Sequence, residues 1–170
     1  MMAGVSRRER YLPDLDAYHR RARTGPCFVC GIAARDPDFT GHHIVYEDGE
    51  AIAFLNRWQT QRGYTLVAPK EHREQAMGDF TVDEYLALQR IVYGVAEAVR
   101  KEVGAERVYV FSLGSNGGNA HVHWHVVPLP PGTPYEEQQF AVMLETAGVL
   151  DIPRDEKADL AARIGRRVGG

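Results

Sequence analysis

Seven consecutive residues, His121-Val122-His123-Trp124-His125-Val126-Val127, alternate between imidazole and apolar side chains up to Val126. A strand repeats every two residues, so this stretch predicts a strand whose three imidazoles share one face, about 6.5–7 Å apart, with Val122, Trp124 and Val126 on the other. One face belongs to a hydrophobic core and the other to chemistry. A core must therefore be found elsewhere in the chain to cover the apolar face.

Other strands are legible from alternation and turn chemistry. Ile44–Tyr46 and Glu50–Leu55 flank Asp48-Gly49, a strong hairpin signal. Gly63–Ala68 reads as a third strand stopped by Pro69, Arg107–Leu113 as a fourth, and the histidine stretch as a fifth ended by Pro128. Between the third and fourth lies a long helix. Thr81 and Glu84 form a capping box, Tyr85, Leu88, Val92, Val95 and Val99 form one apolar stripe, and Gly104 supplies the stop. Thr133-Pro134-Tyr135-Glu136 predicts a second capped helix carrying Phe140, Met143 and Leu144 and ending near Gly148, and Asp155–Ile164 a third. Glu9–Arg23 reads as a short helix interrupted near Pro13. The implied fold class is α+β, with a mainly antiparallel five-stranded sheet, one long helix, an N-terminal arm and C-terminal helices.

With 170 residues the chain is the size of one domain, and its 44% hydrophobic and 25% charged residues suit a folded globular protein. Twenty basic residues against 23 acidic ones are too evenly balanced for a protein that lives on nucleic-acid phosphates. No apolar run approaches the roughly 20 residues of a membrane span, and Met1–Arg10 lacks the apolar stretch of a secretory signal. The expectation is a cytoplasmic protein with neither nucleic acid nor membrane as partner.

Imidazole is nucleophilic when neutral, titrates near neutrality and binds metals, so the histidine row suits phosphoryl or nucleotidyl transfer or metal binding. Immediately upstream, Gly114-Ser115-Asn116-Gly117-Gly118-Asn119 can bring backbone N–H groups close to an anion. Cys27 and Cys30 have the spacing that lets two thiolates face one tetrahedral zinc ion, with His42, His43, His72 and His121 as candidates to complete it.

The histidine stretch resembles the signature of the histidine triad superfamily, His-φ-His-φ-His-φ-φ with φ apolar. The similarity runs over about residues 26–130, through Phe54-Leu55-Asn56-Arg57, the strand Gly63–Lys70 and His72. It implies a catalytic domain over 26–130, flanked by the helical segments read above as an N-terminal arm over residues 1–25 and a helical extension of the same domain over 131–170. It also implies a homodimer formed through the long helix and an edge strand, and hydrolysis or transfer at the α-phosphate of a purine nucleotide or dinucleotide. Carried over by position, His123 is the nucleophile that forms a covalent nucleotidyl intermediate, and His125 hydrogen-bonds a phosphate or leaving-group oxygen. Asn56 holds the ribose hydroxyls, and Gly118 and Asn119 contact phosphate. The metal-containing branch implies a structural zinc on Cys27, Cys30, His72 and His121. Water is the expected acceptor; a phosphorylase or nucleotidyltransferase, or a non-catalytic nucleotide-binding module, are the alternatives.

The chain also departs from the family. Gly118-Asn119-Ala120 runs directly into His121, without the hydroxyl residue and spacer usual there, so phosphate contacts pass to Asn116 or Ser115. Gly63-Tyr64 replaces a Gly-His pair, and Pro128-Leu129-Pro130-Pro131 follows the triad.

Overall fold

The computed structural model describes residues 9–169, so the part of the N-terminal arm before Glu9 lies outside the described residues. A short strand and two helices, β1 (Arg10–Tyr11), α1 (Leu15–Thr24) and α2 (Phe28–Ala33), precede the main sheet, whose first strand is β2 (Ile44–Glu47). There follow β3 (Ala51–Leu55), β4 (Thr65–Pro69), α3 (Val82–Val103), β5 (Arg107–Phe111), β6 (Trp124–Leu129), β7 (Val149–Leu150) and α4 (Arg154–Val168). The main sheet has five strands in the order β2-β3-β4-β6-β5, every pair antiparallel, while β1 and β7 form a separate two-stranded ribbon.

The sheet is covered on both faces, and period-two alternation sorts its residues between them. Ala51, Ala53, Leu55, Val67, Trp124 and Val126 pack against the α3 stripe and against Leu160, Ala161 and Ile164 of α4. Ile52, Phe54, Leu66, Ala68, Val127 and Leu129 face the other way, toward Val29 and Ile32 of α2. Burial on both faces explains why β3 reads as an unbroken apolar run. Asp48 closes the β2–β3 hairpin by accepting, through Oδ1, from the N–H groups of Glu50 (2.8 Å) and Ala51 (2.7 Å). The capping box of α3 forms as expected, and Gly104 closes the helix in the left-handed region at φ 66°.

Three expectations are corrected. First, the regular strand begins only at Trp124, so His121 and His123 precede it in a segment where the Val122 N–H donates to the Arg73 carbonyl at 2.7 Å. The strand also continues through Pro128 to Leu129. Pairing with β4 ends at Val126, so the missing N–H of Pro128 falls where the sheet has only β5 beside it.

Second, no α-helix forms over 133–148. Three separate 3-10 turns occupy Tyr135–Glu137, Gln139–Val142 and Glu145–Ala147. The Thr133 hydroxyl donates to the Pro130 carbonyl instead of capping, and Gln139 sits at φ 58°, which breaks any helix passing through it. Phe140 and Leu144 are consequently exposed and only Val142 is buried. Third, the arm from Glu9 to Arg23 is a strand followed by a helix, with Asp14 capping α1 after Pro13.

Candidate functional site

Histidine chemistry is set by which ring nitrogen carries the proton, and in this protein the partners of each ring decide it. His123 Nδ1 lies 2.7 Å from the carbonyl oxygen of His121. A carbonyl only accepts, so Nδ1 carries the hydrogen and Nε2 keeps its lone pair. The ring is buried, and burial lowers its pKa, which favours the neutral form. Phe28 of α2 presents an edge to it at 5.4 Å between ring centroids, and His125 lies 4.8 Å away.

His121 turns to a different task. Its Nε2 donates to the Pro69 carbonyl at 2.8 Å, which leaves Nδ1 as a lone-pair donor. That atom lies 3.4 Å from Cys27 Sγ and 3.6 Å from Cys30 Sγ. Cys30 Sγ is also 3.4 Å from His72 Nδ1, and His72 Nε2 is 3.1 Å from a Glu74 carboxylate oxygen. The four candidate ligand atoms of Cys27, Cys30, His72 and His121 all lie within 4.8 Å of one another. Two thiols and two imidazoles at these separations suit a tetrahedral ion with bonds of about 2.0–2.3 Å. Each imidazole has its outer nitrogen held by an oxygen, the outer-shell arrangement that orients histidine ligands. The residues therefore fit zinc. His42 and His43, the other candidates, lie outside this cluster.

The cysteine pair owes its geometry to a helix that spacing alone did not reveal. Cys27 is the N-cap of α2, and its sulfur accepts from the Cys30 N–H at 3.4 Å, which brings both thiols to one end of the first turn.

The HIT domain matches residues 40–131. The chain belongs to the HIT domain family. Protein hit of Bacillus subtilis is 35% identical over 107 residues, covering 60% of this chain and 70% of that protein. Adenosine 5'-monophosphoramidase hnt1 of Schizosaccharomyces pombe is 33% identical over 91 residues, covering 49% of this chain and 62% of that protein. Among solved structures, a hypothetical histidine triad nucleotide-binding protein from Sulfolobus tokodaii shares the fold with a TM-score of 0.66 at 24% identity, covering 84% of this chain and 92% of that one. A zinc-bound histidine triad family protein from Mycobacterium smegmatis gives a TM-score of 0.63 at 22% identity, covering 84% of this chain and 93% of that one.

Within the HIT domain, His125 is placed by residues that the sequence reading assigned no role. It stacks on Phe111 at 4.7 Å with ring planes 6° apart, and its Nδ1 lies 2.6 Å from the Tyr64 hydroxyl. Burial, together with the field of Glu145, pushes the Tyr64 pKa up, so the phenol keeps its proton, and the Asn56 side chain hydrogen-bonds to its oxygen. The amide orientation of Asn56 is fixed because its Oδ1 accepts from the Trp58 N–H at 2.9 Å. The proton direction is therefore Asn56 to Tyr64 to His125, which leaves Nε2–H of His125 as a donor. Burial first, and the neighbouring His123 second, lower the His125 pKa to about 3.

Tyr64→Phe removes this tautomer control without removing the ring. The expected result is a mixture of His125 tautomers, which imidazole nitrogen shifts measured by NMR report directly. A donor to Nδ1 stabilises the neutral ring, so the His125 pKa should also rise in the variant. Unchanged tautomer and pKa would remove Tyr64 from the site.

The glycine-rich loop is engaged differently from the expectation. The Gly118 N–H donates to the Ala22 carbonyl of α1 at 2.6 Å. A Cβ at Gly117, where φ is 118°, would meet the Ala22 oxygen at 2.5 Å, and one at Gly118 would meet the Gly25 oxygen at 2.5 Å. The glycines thus let α1 settle onto the loop. Asn119 accepts from the Ser115 hydroxyl at 2.8 Å and hydrogen-bonds to Tyr18, and Asn116 is exposed. A phosphate contact by the Gly118 N–H requires exchange of its bond to Ala22.

Proposed function

We propose that this HIT domain protein is a hydrolase acting at the α-phosphate of purine nucleotide derivatives, either phosphoramidates or dinucleoside polyphosphates, through a nucleotidyl intermediate on His123. The observation that carries the reading is the 2.7 Å contact from His123 Nδ1 to the His121 carbonyl, which leaves a buried, neutral Nε2 as the nucleophile. Nε2 attacks the α-phosphorus, the P–Nε2 bond forms, and the bond from phosphorus to the leaving group breaks. The Nε2–H of His125 donates to a phosphoryl or leaving-group oxygen or nitrogen, where charge grows. Water then attacks the same phosphorus, releasing the nucleoside monophosphate and restoring neutral His123. Asn56 holds the ribose hydroxyls, and Asn116 and Asn119 stand around the phosphates, joined by Gly118 once its N–H exchanges its bond to Ala22. The activity printed for the fission-yeast relative, an adenosine 5'-monophosphoramidase, supports this substrate class.

Cys27, Cys30, His72 and His121 would hold a structural zinc ion. When bound, zinc supplies folding energy, having no open position for water once four side chains are engaged. His121 serves both arrangements, since its ring belongs to the metal cluster and its carbonyl fixes the His123 tautomer. A rigid His121 therefore preorganises the nucleophile.

The test is product analysis. Adenosine 5'-phosphoramidate should yield AMP, and diadenosine tetraphosphate should be split whether or not inorganic phosphate is present. ADP formed only with phosphate present would instead make the protein a phosphorylase, and no turnover of either would leave it a binding module.

The homodimer is the remaining part of the reading. Val82, Leu86 and Tyr93 are exposed on α3, Tyr93 by 71%, and Val110 on the edge strand β5 is exposed by 45%. An isologous contact through α3 and β5 would cover both patches. Light scattering at micromolar concentration should return twice the chain mass, and a monomer mass would end this proposal.

A further inference from the structure

A cavity of about 320 Å³ opens beside Asn56, lined among others by Thr40, His42, His43, Arg57 and Lys157. Its lining brings a cation from the end of β3 together with one from α4, two elements about 100 residues apart in the chain. Among the described residues no carboxylate lines it. Among the described residues neither Arg57 nor Lys157 enters an ion pair, and Asp151, whose field reaches Lys157, is not part of the lining. Partial burial lowers the pKa of both cations, so the folded protein bears a desolvation cost that an anion would relieve. The fields of Arg57 and Arg21 reach His42, and those of Lys157 and Arg154 reach His43. His42 Nδ1 is buried and has no hydrogen-bond partner among the described residues.

We propose that this cavity binds a phosphate group carried on the ribose, so that the protein selects nucleotides phosphorylated at the 2' or 3' oxygen as well as at the 5' position. The inference rests on the reading above that Asn56 holds the ribose. Asn56 lines the cavity and also belongs to the Tyr64–His125 relay, so one residue joins the cationic space to the histidine row. A nucleotide with its α-phosphate at His123 and its ribose at Asn56 presents its ribose oxygens to the cavity mouth. An acidic residue reading a ribose diol repels a phosphate there, whereas a neutral amide with an arginine beside it accepts one. The Arg57 guanidinium offers a planar fork to two phosphate oxygens, Lys157 adds a point charge, and Thr40 and His42 add neutral donors. A water takes roughly 30 Å³ in the liquid, so the space admits a phosphate group with hydrating waters.

Calorimetric titration of the zinc-loaded protein with AMP, adenosine 2',5'-bisphosphate and adenosine 3',5'-bisphosphate tests the proposal. At least one bisphosphate should bind about tenfold or more tightly than AMP, the size of one charge-assisted phosphate contact. The ratio of the two affinities should fall toward one in Arg57→Gln and in Lys157→Gln, with melting temperatures confirming that each variant is folded. Equal binding of AMP and both bisphosphates, or a preference that survives both substitutions, overturns the cavity assignment while leaving the triad reading intact. Binding of none of the three overturns the nucleotide reading itself, and the cavity assignment with it.

Discussion

His123→Ala is expected to lower turnover of adenosine 5'-phosphoramidate at least about a thousandfold, because on the proposed route it deletes the atom that forms the new bond to phosphorus. The fold should survive. His123 is buried just before the start of β6, against Phe28 and His125, and is not one of the four residues of the metal cluster. AMP binding should persist as well, since the proposal gives the ribose and phosphate contacts to other residues. Rapid acid-free quenching of the native enzyme with labelled substrate should trap a nucleotidyl adduct that is acid-labile, alkali-stable and located on His123. His125→Ala should show a partial loss, as expected for a donor that stabilises charge without forming the bond. Substantial turnover by His123→Ala, or a label at another residue, would replace the covalent route with direct attack by water.

The second large effect belongs to the metal cluster. The purified protein should contain about one zinc per chain by elemental analysis. Cys27→Ser combined with Cys30→Ser should abolish it and lower the melting temperature by about 10 °C or more. Losing a few kcal/mol of metal-linked folding energy shifts a domain of this size by that order. His121→Ala should look like the cysteine variant, as metal loss and instability, although it lies only two residues from the nucleophile. That contrast separates the triad into one structural and two chemical histidines. A metal-free double variant that melts with the native protein would refute the structural role.

Much of this arrangement was legible in the chain because it rests on local chemistry. Alternation placed Val122, Trp124 and Val126 in the core and the imidazoles opposite, and α3 begins and ends at the capping box and glycine that encode it. Cys27, Cys30, His72 and His121 were named from residue type, spacing and resemblance, and they converge within 4.8 Å. Local chemistry failed where two uses of one residue competed. Thr133 can cap a helix or close a turn, and its hydroxyl closes the turn by donating to Pro130, so no helix follows. Gly118 was assigned to phosphate from its place before the triad, yet its N–H is taken by α1, a helix that approaches from nearly a hundred residues earlier.

The sequence by itself determined the chemistry available: three histidines in a two-residue repeat, a cysteine pair, and a family pattern with Asn56 after the second strand-forming run and a tyrosine in place of a histidine. Only the tertiary structure decided how that chemistry is divided. A histidine's role depends on the partner of its second ring nitrogen, and those partners are Pro69 for His121, the His121 carbonyl for His123 and Tyr64 for His125. Two of them lie 52 and 61 residues away along the chain. Periodicity specifies which face a side chain occupies, but proton position follows from contacts that only folding brings within hydrogen-bond distance.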